Sequence, residues 1–215
     1  MRRIYILLSQ TNTVLARSIR KCTGTEFSHT SISLDGNYEQ MYSFTRKYPN
    51  NPVIGQMKRE TFDTGVFGKS KECLCQIYTA EVTEEQHAKI KEKIDYFLNS
   101  KKEFKFNNLG LFACWFKIKM PRKYKRVCSQ FVAECLDYAC PEIEMPKHFW
   151  IMQPEDFKFV KNIHMIYRGK MKDIPIGLSE EEIAERIEKY KDYNPLEFSK
   201  HKNKKKSNKK VKKWK

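Results

Sequence analysis

Long hydrophobic runs are missing from this chain of 215 residues. No segment approaches the roughly twenty apolar residues a membrane-spanning helix needs, which excludes that class. No leader is expected: Met1-Arg2-Arg3 runs into a short apolar stretch, Ile4 to Leu8, and then into polar Ser9-Gln10-Thr11-Asn12. Metal-spaced cysteine pairs are also absent, since Cys73-Leu74-Cys75 is too short for a zinc knuckle and has no second pair, so no metal and no cofactor is expected. The seven cysteines are odd in number. With no leader they point to a reduced, cytoplasmic protein rather than a disulfide framework. Internal repeats are lacking. Acid is lacking from Ser199 to Lys215, where ten lysines stand, so the net charge of +16 leaves only +6 for the rest. That tail cannot bury enough apolar surface to fold and is expected to be disordered and attracted to polyanions or anionic membrane.

What remains suits one domain with accessories. Ile4–Leu8 reads as a buried strand, and Thr13 to Cys22 as a helix stopped at Gly24. Phe27–Leu34 and Tyr38–Phe44 flank Asp35-Gly36-Asn37, a hairpin signal that places His29 at the start of one strand with Tyr42 and Ser43 across from it. Gly55 to Gly68 is a glycine-punctuated connection with room for a short strand, and Gln76 to Val82 is a strand. Thr83-Glu84-Glu85-Gln86 is a capping box opening a helix with Ile90, Ile94, Phe97 and Leu98 on one face. Aromatic-rich Phe104 to Phe112 contains a turn at Gly110. Loops follow at His148-Phe149-Trp150 and Gln153 to Phe157, then a strand at Ile163–Tyr167. A second capping box, Ser179 to Glu182, opens an appended helix. The expected division is a domain over 1–170, that helix within 171–198, and the tail over 199–215.

The stretch that organises the chain is Val127 to Leu136. Val127, Phe131, Val132, Cys135, Leu136 and Ala139 recur at helical spacing, and Cys128 opens the helix. Arg126 and Val127 offer no short oxygen acceptor, so the first backbone N–H groups need a partner, which Cys128 or Ser129 is placed to supply. A helix N-terminus behind Arg122, Lys123, Lys125 and Arg126 favours a thiolate, which makes Cys128 a candidate nucleophile. Its alternative role is a small buried hydrophobe beside Val132 and Cys135. A reactive cysteine needs a base, and of the five histidines His29, among Ser28, Thr30 and Ser31, is the one set in polar company at a strand start.

The Ser-His-Thr-Ser-Ile strand, the Asp-Gly hairpin, the Met-Tyr-Ser-Phe strand, the Asn-x-Leu-Gly turn and Val-Cys-Ser-Gln-Phe-Val together resemble circularly permuted papain-fold cysteine amidases. More closely, they resemble the YaeF/YiiX-like branch of the NlpC superfamily of hydrolases, over about Ile4 to Tyr167. The histidine preceding the cysteine in the chain agrees with permuted members. The resemblance implies an α+β fold with a central antiparallel sheet packed against the Cys128 helix. It implies Cys128 as nucleophile, His29 as general base and a backbone N–H at the helix start in an oxyanion hole. It also implies a third polar residue on the strand after the histidine, which falls at about Ser43. Serine departs from the usual acid, so Glu39 or Gln40 substitutes, or the site is a weaker dyad. Tyr5, Tyr42 and Arg46 are candidates to line the cleft. The expected activity is hydrolysis of a peptide, isopeptide or acyl-lipid bond. The rivals are an inactive binding module of the same fold, and a nucleic-acid-associated protein working through its basic tail.

Overall fold

The computed structural model describes residues 1–11, 17, 20–21, 24–46, 55–63, 65–100, 105–106 and 125–196. The fold is α+β. Six strands form one antiparallel sheet: β1 (Arg2–Ser9), β2 (His29–Ser33), β3 (Met41–Arg46), β4 (Gly55–Glu60), β5 (Leu74–Val82) and β8 (His164–Lys170), in the order β4-β3-β2-β1-β5-β8. A separate pair, β6 (Lys105–Phe106) and β7 (Lys125–Arg126), is parallel. The α-helices whose bounds lie among the described residues are α1 (Gly65–Gly68), α2 (Glu84–Asn99), α3 (Cys128–Ala139) and α4 (Glu180–Tyr190). Among the described residues no helix is long and apolar enough to cross a membrane.

Alternation along β1 explains the layering. Ile4, Ile6 and Leu8 point into one apolar core, and Tyr5 and Leu7 into another on the opposite face. A strand covered on both faces reads as an unbroken apolar run, as Ile4–Leu8 does. In the first core α2 and α3 pack on the sheet, with the rings of Phe44, Phe97 and Phe131 meeting edge to face at 5.3–5.7 Å. The second core joins Leu7, Cys75, Ile77 and Ile166 to Phe67 of α1 and Ile183 of α4. The C-terminal helix is therefore part of the packing rather than an appendage. It lies along the edge strand β8, with the Tyr190 hydroxyl accepting from the Arg168 N–H and the Tyr193 hydroxyl accepting from Gln76 Nε2 at 2.7 Å.

Local chemistry sets the boundaries. Both capping boxes form: Thr83 Oγ1 accepts from the Gln86 N–H while Gln86 Oε1 accepts from that of Thr83, and Ser179 and Glu182 do the same for α4. Gly24 takes φ +73° and its N–H donates to the Arg20 carbonyl, the left-handed stop expected there, although most of Thr13–Cys22 lies outside the described residues. The tail over 199–215 and the turn at Gly110 also lie outside them.

The hairpin differs from the two-residue turn that Asp35-Gly36 suggests. Leu34 and Gln40 close a longer loop, and its left-handed residue is Tyr38 at φ 58°. The cause is the Asp35 carboxylate, which accepts from the N–H groups of both Glu39 and Gln40 and so caps the loop from inside. The consequence is a shifted register. Tyr42 faces Ile32, not His29.

Candidate functional site

Four segments bring polar side chains to one place on the sheet. His29 opens β2, and Ser31 follows two residues later on the same face. Ser43 comes from β3 and Glu60 from the end of β4. The Glu60 oxygens lie 3.1 and 3.2 Å from His29 Nε2, and Ser43 Oγ lies 3.2 Å from the same nitrogen. Ser31 Oγ donates to Glu60 Oε2 at 2.6 Å. The Phe67 ring meets the imidazole edge to face at 5.6 Å. β2 pairs with β3 at Ile32 and Ser33, the end away from His29, and α3 contacts both strands. Cys128, at the start of that helix, is near enough to His29 to act on the charge of its ring.

The electrostatics follow from burial. His29 and Glu60 are 7% and 6% exposed. Burial alone pushes the imidazole towards neutrality. The Glu60 carboxylate and Cys128, through charge and hydrogen bonding, outweigh it and raise the His29 pKa above its ordinary value. The mirror holds for Glu60: burial favours its protonated form, but His29, the Ser31 hydroxyl and Lys58 leave its pKa lowered. A carboxylate only accepts, so Nε2 carries the hydrogen that faces it.

The chain is anchored immediately ahead of His29. Glu155 Oε1 accepts from the N–H groups of Glu26 and Phe27, Arg168 and Lys158 both pair with Glu26, and the Ser28 N–H donates to the Ser9 carbonyl. Burial opposes ionisation of Glu26, but hydrogen bonds from Arg168 and Lys158 leave its pKa lowered. A charged network this enclosed fixes where β2 begins, and with it the imidazole.

The helix start has its own supports. Val127 supplies no side-chain cap, and Gln130 Oε1 accepts the Val127 N–H at 3.1 Å. The Cys128 and Ser129 side chains do not take the capping role open to them in the sequence. Ser129 Oγ donates instead to the Met152 carbonyl at 2.7 Å, and Gln130 Nε2 donates to that of Trp150 at 2.6 Å, so both side chains tie α3 to the loop that follows it. The first main-chain N–H accepted within the helix turn is that of Phe131, by the Val127 carbonyl. The N–H groups of Cys128, Ser129 and Gln130 thus sit at the positive end of the helix.

Several sequence expectations change here. Glu39 and Gln40 sit on the exposed end of the hairpin and do not join His29. The carboxylate comes from Glu60, which sequence reasoning missed because β4 was legible only as a glycine-punctuated connection. The signal available was an acid closing a strand-length segment after Gly55. Ser43 stands beside His29 as expected. Tyr42 does not share its face, because alternation along β3 turns it towards the first core, and Tyr5 packs edge to face on Tyr38 in the second. The Arg46 side chain and residues 122–124 lie outside the described residues. Arg126 is not an unneutralised cation beside the sulfur: it pairs with Glu134, and its guanidinium lies 4.1 Å from the Trp150 ring centroid. Among the described residues no group of three histidine, cysteine, aspartate or glutamate side chains is arranged to hold a metal ion.

Compared with protein-family models and with curated protein sequences, the chain matches none. The fold and site in hand are thus those of an α+β protein in which a cysteine at a helix start meets a histidine backed by a buried carboxylate.

Proposed function

We propose that this protein is a cysteine hydrolase of the permuted papain-like kind, with Cys128 as nucleophile, His29 as general base and Glu60 as the acid that orients and charges the ring. The observation that carries the reading is the buried His29–Glu60 pair, with Cys128 at a helix start near enough to act on the charge of the ring. A carboxylate and an imidazole enclosed together cost desolvation that an apolar pair would not, and a cysteine, a histidine and an acid in that order are what nucleophilic acyl transfer requires. Glu60 also supplies the acid that the sequence lacks at Ser43, which weakens the case for an inactive binding module. Ser43 contributes a hydroxyl to Nε2 as an auxiliary.

In the reaction the Cys128 thiolate attacks the carbonyl carbon of an amide or ester, its proton having passed to His29. The oxyanion that forms is met by N–H groups at the start of α3. The His29 imidazolium, held charged by Glu60, gives its proton to the departing amine or alcohol, leaving a thioester on Cys128. A water molecule, losing its proton to His29, then attacks the thioester, and the acid product leaves as the thiolate returns. The substrate classes proposed are peptide, isopeptide and acyl-lipid. Residues 199–215 are proposed as an accessory contact to polyanions or anionic membrane, and a cytoplasmic setting is proposed with them.

The test is competitive alkylation with iodoacetamide at near-neutral pH, read by peptide mass spectrometry. Cys128 is expected to label well ahead of the other six cysteines, and His29→Ala to erase its lead. Equal labelling of all seven in the wild-type chain overturns the hydrolase reading.

A further inference from the structure

Glu60 reaches His29 from two strands away. β3 lies between β4 and β2, so the backbones joined by this contact are separated by on the order of 10 Å, twice the usual interstrand spacing. The crossing passes over β3 where Ser43 stands with its hydroxyl turned to the same imidazole, and a serine is small enough to leave that path open. A glutamate extended this far has three side-chain torsions to hold, and the imidazole contacts its two oxygens nearly equally, at 3.2 and 3.1 Å, so the ring alone does little to choose between orientations. The fully buried Ser31 hydroxyl makes the choice, because it donates to Oε2 at 2.6 Å from the same strand and the same face as His29.

We propose that Ser31 is the positioning residue of this site, a hydroxyl that clamps the Glu60 carboxylate against His29. The proposal rests on the reading of Cys128, His29 and Glu60 given above and names what regulates their pH range. The groups facing Glu60 are His29 and Ser31 from β2, Ser43 from β3, Lys58 from β4 itself and, beyond the ring, Cys128 from α3. Of the two hydroxyls, that of Ser31 donates to the carboxylate. Donation to a carboxylate favours its charged form, so removing the donor makes Glu60 take up a proton at higher pH, and the imidazolium then loses its counter-charge.

The experiment uses the full chain and three variants, Ser31→Ala, Ser31→Cys and Ser31→Thr. The His29 ring nitrogens are followed by NMR through acid titration, and the iodoacetamide rate at Cys128 is followed over the same range. The acid limb of both profiles is expected to move up by about one pH unit in Ser31→Ala, by less in Ser31→Cys with its weaker donor, and to return to the wild-type position in Ser31→Thr. An unmoved limb in Ser31→Ala overturns the proposal. So does a fall in the amount of reactive protein with the limb unchanged, which marks a merely structural role. Should Ser31→Ala not fold, Ser31→Cys decides by the same criterion. Failure of the hydrolase reading looks different: wild-type Cys128 then labels no faster than its neighbours, while the imidazole titration still reports whether Ser31 holds the His29–Glu60 pair.

Discussion

Helix α3 carries two cysteines seven residues apart on one buried face, and the two ends of the helix treat them oppositely. Cys135, towards the C-terminal end, is wholly enclosed in the first core, and burial pushes its thiol well above the usual range. Cys128, at the start, is 7% exposed and near enough to an imidazole backed by a carboxylate to act on its charge. Side-chain chemistry and helical phase are the same at both. What differs is the neighbourhood: apolar side chains at one end, and at the other main-chain N–H groups and the His29–Glu60 pair. A thiol among apolar groups behaves as a small hydrophobe, and one beside a charged imidazole has a route to the thiolate.

The largest effect expected from breaking this contrast comes from His29. Replacing it by alanine should remove turnover by on the order of 10³-fold or more, as loss of the base does in such systems, and bring Cys128 down towards the alkylation rate of Cys135. Hydrolysis of the substrate, once identified, and the labelling ratio of the two cysteines are the measurements.

Glu60→Gln should follow, because it strips the counter-charge from a buried imidazole. Breaking a buried pair costs about 3–5 kcal/mol, read by urea denaturation. The cost should depend on pH in a defined way. The raised His29 pKa contributes stability that is complete below its ordinary value of 6.5 and is lost as pH rises through the folded value. The lowered Glu60 pKa contributes stability that is complete above its ordinary value of 4.5 and is lost as pH falls through the folded one. The gap between wild type and Glu60→Gln should therefore be widest between those two values and narrow on either side. A gap that does not vary with pH would show that the pair is not what the substitution disturbs.

Gln130→Ala sharpens the same contrast from the helix end. It removes the acceptor of the Val127 N–H and the donor to Trp150, and should cost about 1–2 kcal/mol in thermal or chemical denaturation while slowing Cys128 alkylation and leaving Cys135 unchanged. The smallest effect belongs to Cys135→Ala. It shortens a buried side chain by one sulfur, costs about 1 kcal/mol, and should leave the Cys128 labelling rate where it was.

Much of the scaffold was legible in the chain because it depends on neighbours in sequence. The two capping boxes, the apolar run of β1 and the stop at Gly24 are each decided within a few residues, and the structure places them where the pattern does. The helix start at Cys128 is of the same kind, since the spacing of Val127, Phe131, Val132 and Cys135 defines its buried face. The hairpin was legible only in part: two strands and a turn were evident, but the Asp35 carboxylate folded back on Glu39 and Gln40 and moved the register, which no local signal for a two-residue turn contains.

Sequence alone, then, determined many of the strands and helices, the cysteine that opens a helix and the histidine that opens a strand, because periodicity and capping are short-range. Only the tertiary structure decided which acid serves that histidine. Glu60 is thirty-one residues from His29 along the chain and two strands away in the sheet. Its place follows from sheet order and from the small serine on the strand between, quantities that exist only once the strands have paired.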